Sequence, residues 1–295
     1  MRLIAGRRIV AGLVATVILA VGVLLDLTSG RRPVRASVPA GTDTVFRSME
    51  AVLRRQGLAA ALDSLALRAE RDSALIREGH QMAHALGREA VTYHSGDATV
   101  IRECSPVFAS GCYHGVVEAS IHTAGRIDMP RLEQLCVGMN ATGRPGPGFE
   151  CIHGLGHGIL GAVGYDLEAT LHYCDALSVA SLAASCHSGA FMEAISSALG
   201  APMPHAHADH QHGQAAGPAP APAPRRLSID ASDPYSPCDG FRDPYATSCW
   251  LFQGFVILRR TGFDAASALR ICDRAPDGRA ARCYESVGHQ LTGLF

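Results

Sequence analysis

Three short segments of the sequence each place two metal-ligating side chains four residues apart: His80 and His84, His114 and Glu118, His153 and His157. On an α-helix, positions i and i+4 share a face and lie about 5 to 6 Å apart, which suits two ligands of one ion. Imidazole and carboxylate donors fit zinc, iron, copper or nickel without choosing among them, and histidines of this kind also ligate haem iron. The run His153-Gly154-Leu155-Gly156-His157 has the spacing of a zinc-protease helix. Gly154 stands where the general-base glutamate would be, which argues against that chemistry. The competing reading makes the histidines polar packing residues, each bonded to a carbonyl at a tight helix interface. That reading is the one applied to His94, His122, His172 and His187.

The three pairs sit in register within a larger repeat. An aspartate opens each unit, a cysteine follows seven or eight residues later, and a second cysteine comes after a turn-rich gap, trailed by an apolar helical stretch. Asp97, Cys104, Cys112 and Gly125 form one copy. Asp128, Cys136, Cys151 and Gly164 form the next, followed by Asp166, Cys174, Cys186 and Gly200, then Asp230, Cys238, Cys249 and Gly262, and finally Asp264, Cys272 and Cys283. The second cysteines are spaced by 39, 35, 63 and 34 residues, the 63 containing a Pro/Ala insertion. A period in the mid-thirties with two helical segments predicts stacked helical hairpins. A cysteine-free copy precedes them, with His80 aligned on His153.

Counted from the reference cysteine, positions two and six hold the three pairs above, then Ser188 and Met192, Leu251 and Phe255, and Glu285 and His289. Stacking would bring the second helices to about 8 to 10 Å between axes, so that ligands of adjacent units converge. Glu285 and His289 form a separate weak site unless the stack curls tightly. Gly115, Gly154 and Gly189 share one register, and Gly156, Gly254 and Gly288 another, which predicts close helix approach.

Capping residues fit the same scheme. Asp97, Asp128, Asp166 and Asp264 are placed to accept from the exposed amides of first helices, and Ser110, Ser185 and Thr247 from those of second helices. Gly125, Gly164, Gly200 and Gly262 fall where a helix end needs a left-handed residue. No stretch after residue 40 alternates apolar and polar residues for long, so the fold class is all-α: disulfide-stapled helical-hairpin repeats, an αα-solenoid.

All ten cysteines lie in the repeats, which points to an oxidising compartment. The repeat favours pairing inside each unit: Cys104 with Cys112, Cys136 with Cys151, Cys174 with Cys186, Cys238 with Cys249 and Cys272 with Cys283. Cys-x-x-Cys spacing is absent, which argues against zinc ribbons and attached haem. Arg2, Arg7 and Arg8 precede a seventeen-residue apolar run from Ile9 to Leu25. That length predicts an uncleaved signal anchor, with cleavage near Ala36 or Ala40 as the alternative. The protein is therefore expected to be membrane-anchored and extracytoplasmic, on the periplasmic side if bacterial.

The organisation that follows is a signal anchor or transmembrane helix over 1–26, a spacer over 27–42, a helical repeat region with the His/Glu ladder over 43–200, a His-rich and Pro/Ala-rich insertion over 201–229, and C-terminal repeats over 230–295. Within 43–77 the apolar stripes predict one or two helices, and Pro234 and Pro237 predict a short or missing first helix in the Asp230 copy. The tract from His205 to His212 is a second, looser metal-capturing segment. A net charge of −1 argues against a nucleic-acid partner. No nucleophile elbow, phosphate loop or dinucleotide fingerprint occurs. The function expected is transition-metal or haem binding through His/Glu pairs on successive helices; the alternative is a metal-free scaffold that receives a protein or peptide on its repeat surface.

Overall fold

The computed structural model describes residues 40–139, 147–200, 226–276 and 278–292. The chain divides into two units, Met1–Val45 and Phe46–Phe295, and the second holds every helix from Leu58 onward. The apolar run Ile9 to Leu25 and the tract His205 to His212 lie outside the described residues. Among those described, no helix is long and apolar enough to cross a membrane.

No strand occurs among the described residues. The α-helices in chain order are α1 (Ala40–Gln56), α2 (Leu58–Ala69), α3 (Ser73–Tyr93), α4 (Gly111–Ala124), α5 (Met129–Val137), α6 (Pro147–Ala162), α7 (Leu167–Asp175), α8 (Ala180–Ala198), α9 (Tyr245–Arg260), α10 (Ala265–Cys272) and α11 (Ala280–Thr292). Residues 43–77 thus hold two helices and the start of a third. The break falls at Gly57, whose φ of 92° is left-handed and open to glycine at no steric cost. Glu103 reaches from 45 residues away to accept from Leu58 N at 2.8 Å, supplying the cap that Gly57 lacks.

Aspartate starts the first helices as its position predicts. Asp128, Asp166 and Asp264 accept from Arg131 N, Ala169 N and Ser267 N at the heads of α5, α7 and α10. Asp97 accepts from Thr99 N before a 3-10 helix, Ala98–Glu103. In the Asp230 copy only a three-residue 3-10 turn, Cys238–Gly240, occupies the place of a first helix, in keeping with the nearby prolines. Gly125, Gly164, Gly200 and Gly262 have φ of 61°, 70°, 63° and 61°, so all four left-handed positions are where the sequence puts them.

The second-helix caps differ from expectation. Ser110 stands at the N-cap of α4 in a left-handed conformation and makes no side-chain cap bond. Ser185 lies inside α8, which begins five residues earlier, and donates to the Phe149 carbonyl. Thr247 lies inside α9, where Asp243 accepts from both its amide and its hydroxyl. At Ser185 and Thr247 the helix has already begun, and the hydroxyl bonds elsewhere.

All ten cysteines pair within their units, with Cα–Cα distances of 5.4 to 5.6 Å. Each bridge ties a first helix or turn to the first half of the following long helix. The long helices then pack in file, α3 on α4, α4 on α6, α6 on α8, α8 on α9 and α9 on α11. Glycine makes this approach close. A methyl group on Gly115 would overlap the His84 carbonyl, one on Gly189 the His153 carbonyl, and one on Gly254 the backbone of Ser286. Gly288 has open space around it and marks no such contact.

Apolar residues fill the remaining volume. Leu58, Leu62, Leu65 and Leu86 are fully buried toward the N-terminal end, and Phe191, Trp250, Ile257 and Val287 belong to one cluster at the other. Burying side chains of this size stabilises by about 1.5 to 3 kcal/mol each relative to exposure.

Candidate metal centre

The six ladder residues come from three helices that pack in sequence. His80 and His84 lie on α3, His114 and Glu118 on α4, His153 and His157 on α6. Because Gly115 and Gly154 let the backbones close up, the rings meet across the seams. The centroid of His114 lies 5.4 Å from that of His80, 5.3 Å from His153 and 4.8 Å from His157. His153 and His157 are 5.0 Å apart on their own helix.

One trio is close enough to share an ion. A ligand atom from each of His114, His153 and His157 lies within 4.8 Å of the others. Three histidines are a common protein ligand set for a metal that keeps a fourth, exchangeable position. His114 and His157 are 2% and 4% exposed, while His80 and His153 are half-buried. The ladder therefore runs from a dry interior edge to one nearer solvent.

The bonds made by Nδ1 decide which proton each ring carries. The Ser188 hydroxyl donates to the Ser185 carbonyl, so at 2.8 Å from His153 Nδ1 it accepts. His80 Nδ1 lies 2.9 Å from the Phe108 carbonyl, which can only accept. His157 Nδ1 lies 3.2 Å from a Glu193 carboxylate oxygen, and Tyr165 donates to the other oxygen of the same carboxylate. These three rings carry the proton on Nδ1, which makes Nε2 the lone-pair atom. A carboxylate, hydroxyl or carbonyl behind the imidazole is the usual outer support of a metal-bound histidine.

His84 is held differently. Arg88 Nη1 lies 2.7 Å from His84 Nδ1 and 3.0 Å from Glu118 Oε2. Glu118, 5% exposed, is thus an ion-pair partner of Arg88. The structure brings all six ladder residues to one region, but the ligand-distance trio lies on the α4–α6 side and an arginine sits among the rest.

Electrostatics favour neutral imidazole at His153. Removal from water, and then the neighbouring His157 and His80 rings, hold the His153 pKa well below the usual histidine value. Neutral imidazole is the form that binds metal. Burial beside Glu193 raises the Tyr165 pKa, so its phenol stays a donor.

Sequence reasoning missed Arg88, Tyr165 and Glu193. Arg88 is one further i+4 step from His84 along α3, and Glu193 is seven residues after Cys186, one place beyond the column that was followed. Glu285 and His289 occupy that column on α11 and are exposed. His187 has the structural role expected of it, bonded at 2.9 Å to Asp175, which also accepts from Tyr245.

No family model matches the chain, and neither the curated proteins nor the solved structures include a match.

Proposed function

We propose that the protein is a disulfide-stapled αα-solenoid, tethered to a membrane by residues 1–26 and facing an oxidising extracytoplasmic space, that binds a transition-metal ion through His114, His153 and His157. His80, with the same proton arrangement as His153 and His157, is the next donor in reach. His84 on α3 and Glu118 on α4 stand beside them, both in contact with Arg88. The buried three-histidine cluster carries this reading, and the five disulfides support the compartment.

An isolated histidine at a helix interface is adequately explained by packing. Three rings from two helices within mutual ligand distance, two of them backed through Nδ1 by Glu193 and Ser188, form a constellation that packing does not require. The ion would supply Lewis acidity at its open position. The protein's part is to hold His153 neutral, orient the rings and limit water.

The test is elemental analysis of the oxidised protein purified without a polyhistidine tag, after incubation with zinc, iron, copper or nickel. Wild type and a variant lacking residues 205–212 are expected to retain stoichiometric metal. A His114→Ala/His153→Ala/His157→Ala variant is expected to lose it with helicity preserved. Wild-type protein that stays metal-free would return these histidines to packing and favour the scaffold reading, for which exposed Leu67 and Ile76 offer an apolar surface.

A further inference from the structure

We propose that His84 is a hydrogen-bond donor to a small anion at the ion's open coordination position, and is not itself a ligand; this rests on the metal reading above. The argument is one of proton placement. A guanidinium has only N–H groups to offer, so His84 Nδ1, 2.7 Å from Arg88 Nη1 and farther, at 3.6 Å, from the Glu118 carboxylate, is the acceptor. The neutral ring then carries its proton on Nε2. That is the opposite arrangement to His80, His153 and His157, whose Nδ1 atoms all face acceptors.

Arg88 is not at liberty to move away. Its guanidinium is ion-paired at 3.0 Å to Glu118, a carboxylate buried on the neighbouring helix. Separating the pair would leave that charge without its partner in a dry site. Glu118 therefore acts through Arg88, and Arg88 fixes the proton on His84. The His84 ring is 1% exposed and stands 6.1 Å from the ligand His114 in an edge-on arrangement.

An Nε2–H next to a three-histidine ion has a specific chemical use. Three protein ligands leave a fourth position for water, hydroxide or another small anion. A donor fixed beside that position favours the anionic occupant, because charge-assisted hydrogen bonds gain strength where water is excluded. The ladder thus separates into rings that hold an ion and one ring that reads what the ion holds.

Two measurements test this. Long-range proton–nitrogen NMR on protein labelled with 15N-histidine should show the Nε2–H tautomer at His84; an Nδ1–H tautomer overturns the proposal whatever the metal does. Azide titration of the cobalt(II)-loaded protein, followed by visible absorption, supplies the second. His84→Ala should keep stoichiometric cobalt and bind azide about tenfold more weakly, the scale of one hydrogen bond to a charged acceptor. His84→Gln, whose amide also donates, should recover part of the loss. Cobalt lost in both variants would make His84 a ligand, and azide affinity equal to wild type would remove its donor role. Wild-type protein that takes up no cobalt while His84 shows the Nε2–H tautomer would sink the metal reading and the donor role with it, leaving the Arg88 contact as a packing device.

Discussion

The seams α4–α6 and α9–α11 are built alike and filled differently. Each is closed by a glycine against a facing backbone, and each helix is stapled to its predecessor by a disulfide. In the first, the positions two and six residues after the cysteine carry His114, Glu118, His153 and His157. In the second they carry Leu251, Phe255, Glu285 and His289, and the interior is an apolar cluster around Trp250. The comparison teaches that the frame needs no histidine to form. Its N-terminal half turns these positions inward and fills them with buried polar groups, which stabilise less per residue than hydrocarbon, whereas Leu251, Glu285 and His289 of the other half are exposed. A buried polar set in one half of a frame whose other half is filled by hydrocarbon is compatible with metal binding.

The sharpest way to break this comparison is at the glycines. Gly189→Ala and Gly254→Ala, one in each half, should each destabilise by about 3 kcal/mol or more, since a methyl group meets backbone that has no room to yield. Gly288→Ala, in helix α11 with open space around it, should stabilise by up to about 1 kcal/mol through helix propensity. Denaturant unfolding of the three variants checks this; a mild Gly189→Ala would mean that the α6–α8 seam, on the far side of the histidine-bearing α6, is looser than the apolar one.

Glu193→Gln sharpens the contrast in chemistry. Removing the charge behind His157 while keeping an acceptor should lower metal affinity 10- to 100-fold, read by competition with a chromophoric chelator, with little change in thermal unfolding. A large stability loss with unchanged affinity would assign the pair to packing. The smallest effects concern the caps: Asp166→Ala should cost about 1 kcal/mol and Ser185→Ala less than about 0.5 kcal/mol, because only the former receives orphan helix amides. Equal losses in urea unfolding would contradict the observed start of α8.

The elements legible in the sequence were those set by local chemistry at fixed spacing. Asp166 and Gly164 are readable because capping by a carboxylate and a left-handed glycine are decided within a few residues. The within-unit bridges are readable because the repeat places both cysteines at corresponding points. The start of α8 was not, since it depends on the loop that precedes Ala180 and not on the hydroxyl near Cys186. The convergence of His114 with His153 and His157 follows from the register of the repeat. The difference between His84 and His153 does not, because it lies in which partner reaches Nδ1, and Arg88 and Ser188 are positioned by packing between helices. Glu285 and His289 matched the pattern but sit on a helix whose corresponding face is exposed.

The bridges have a further consequence for the covalent connectivity of the molecule. Every disulfide closes a ring inside one unit, of sequence separation 8 to 15, and none joins one unit to another. A single peptide-bond cut after Arg126, between Cys112 and Cys136, therefore leaves two fragments with no covalent link between them, and the oxidised protein would come apart there under denaturing conditions without any reductant. Oxidation secures each bridged segment against local opening, while the order in which these segments stand together depends on the backbone and on the noncovalent seams.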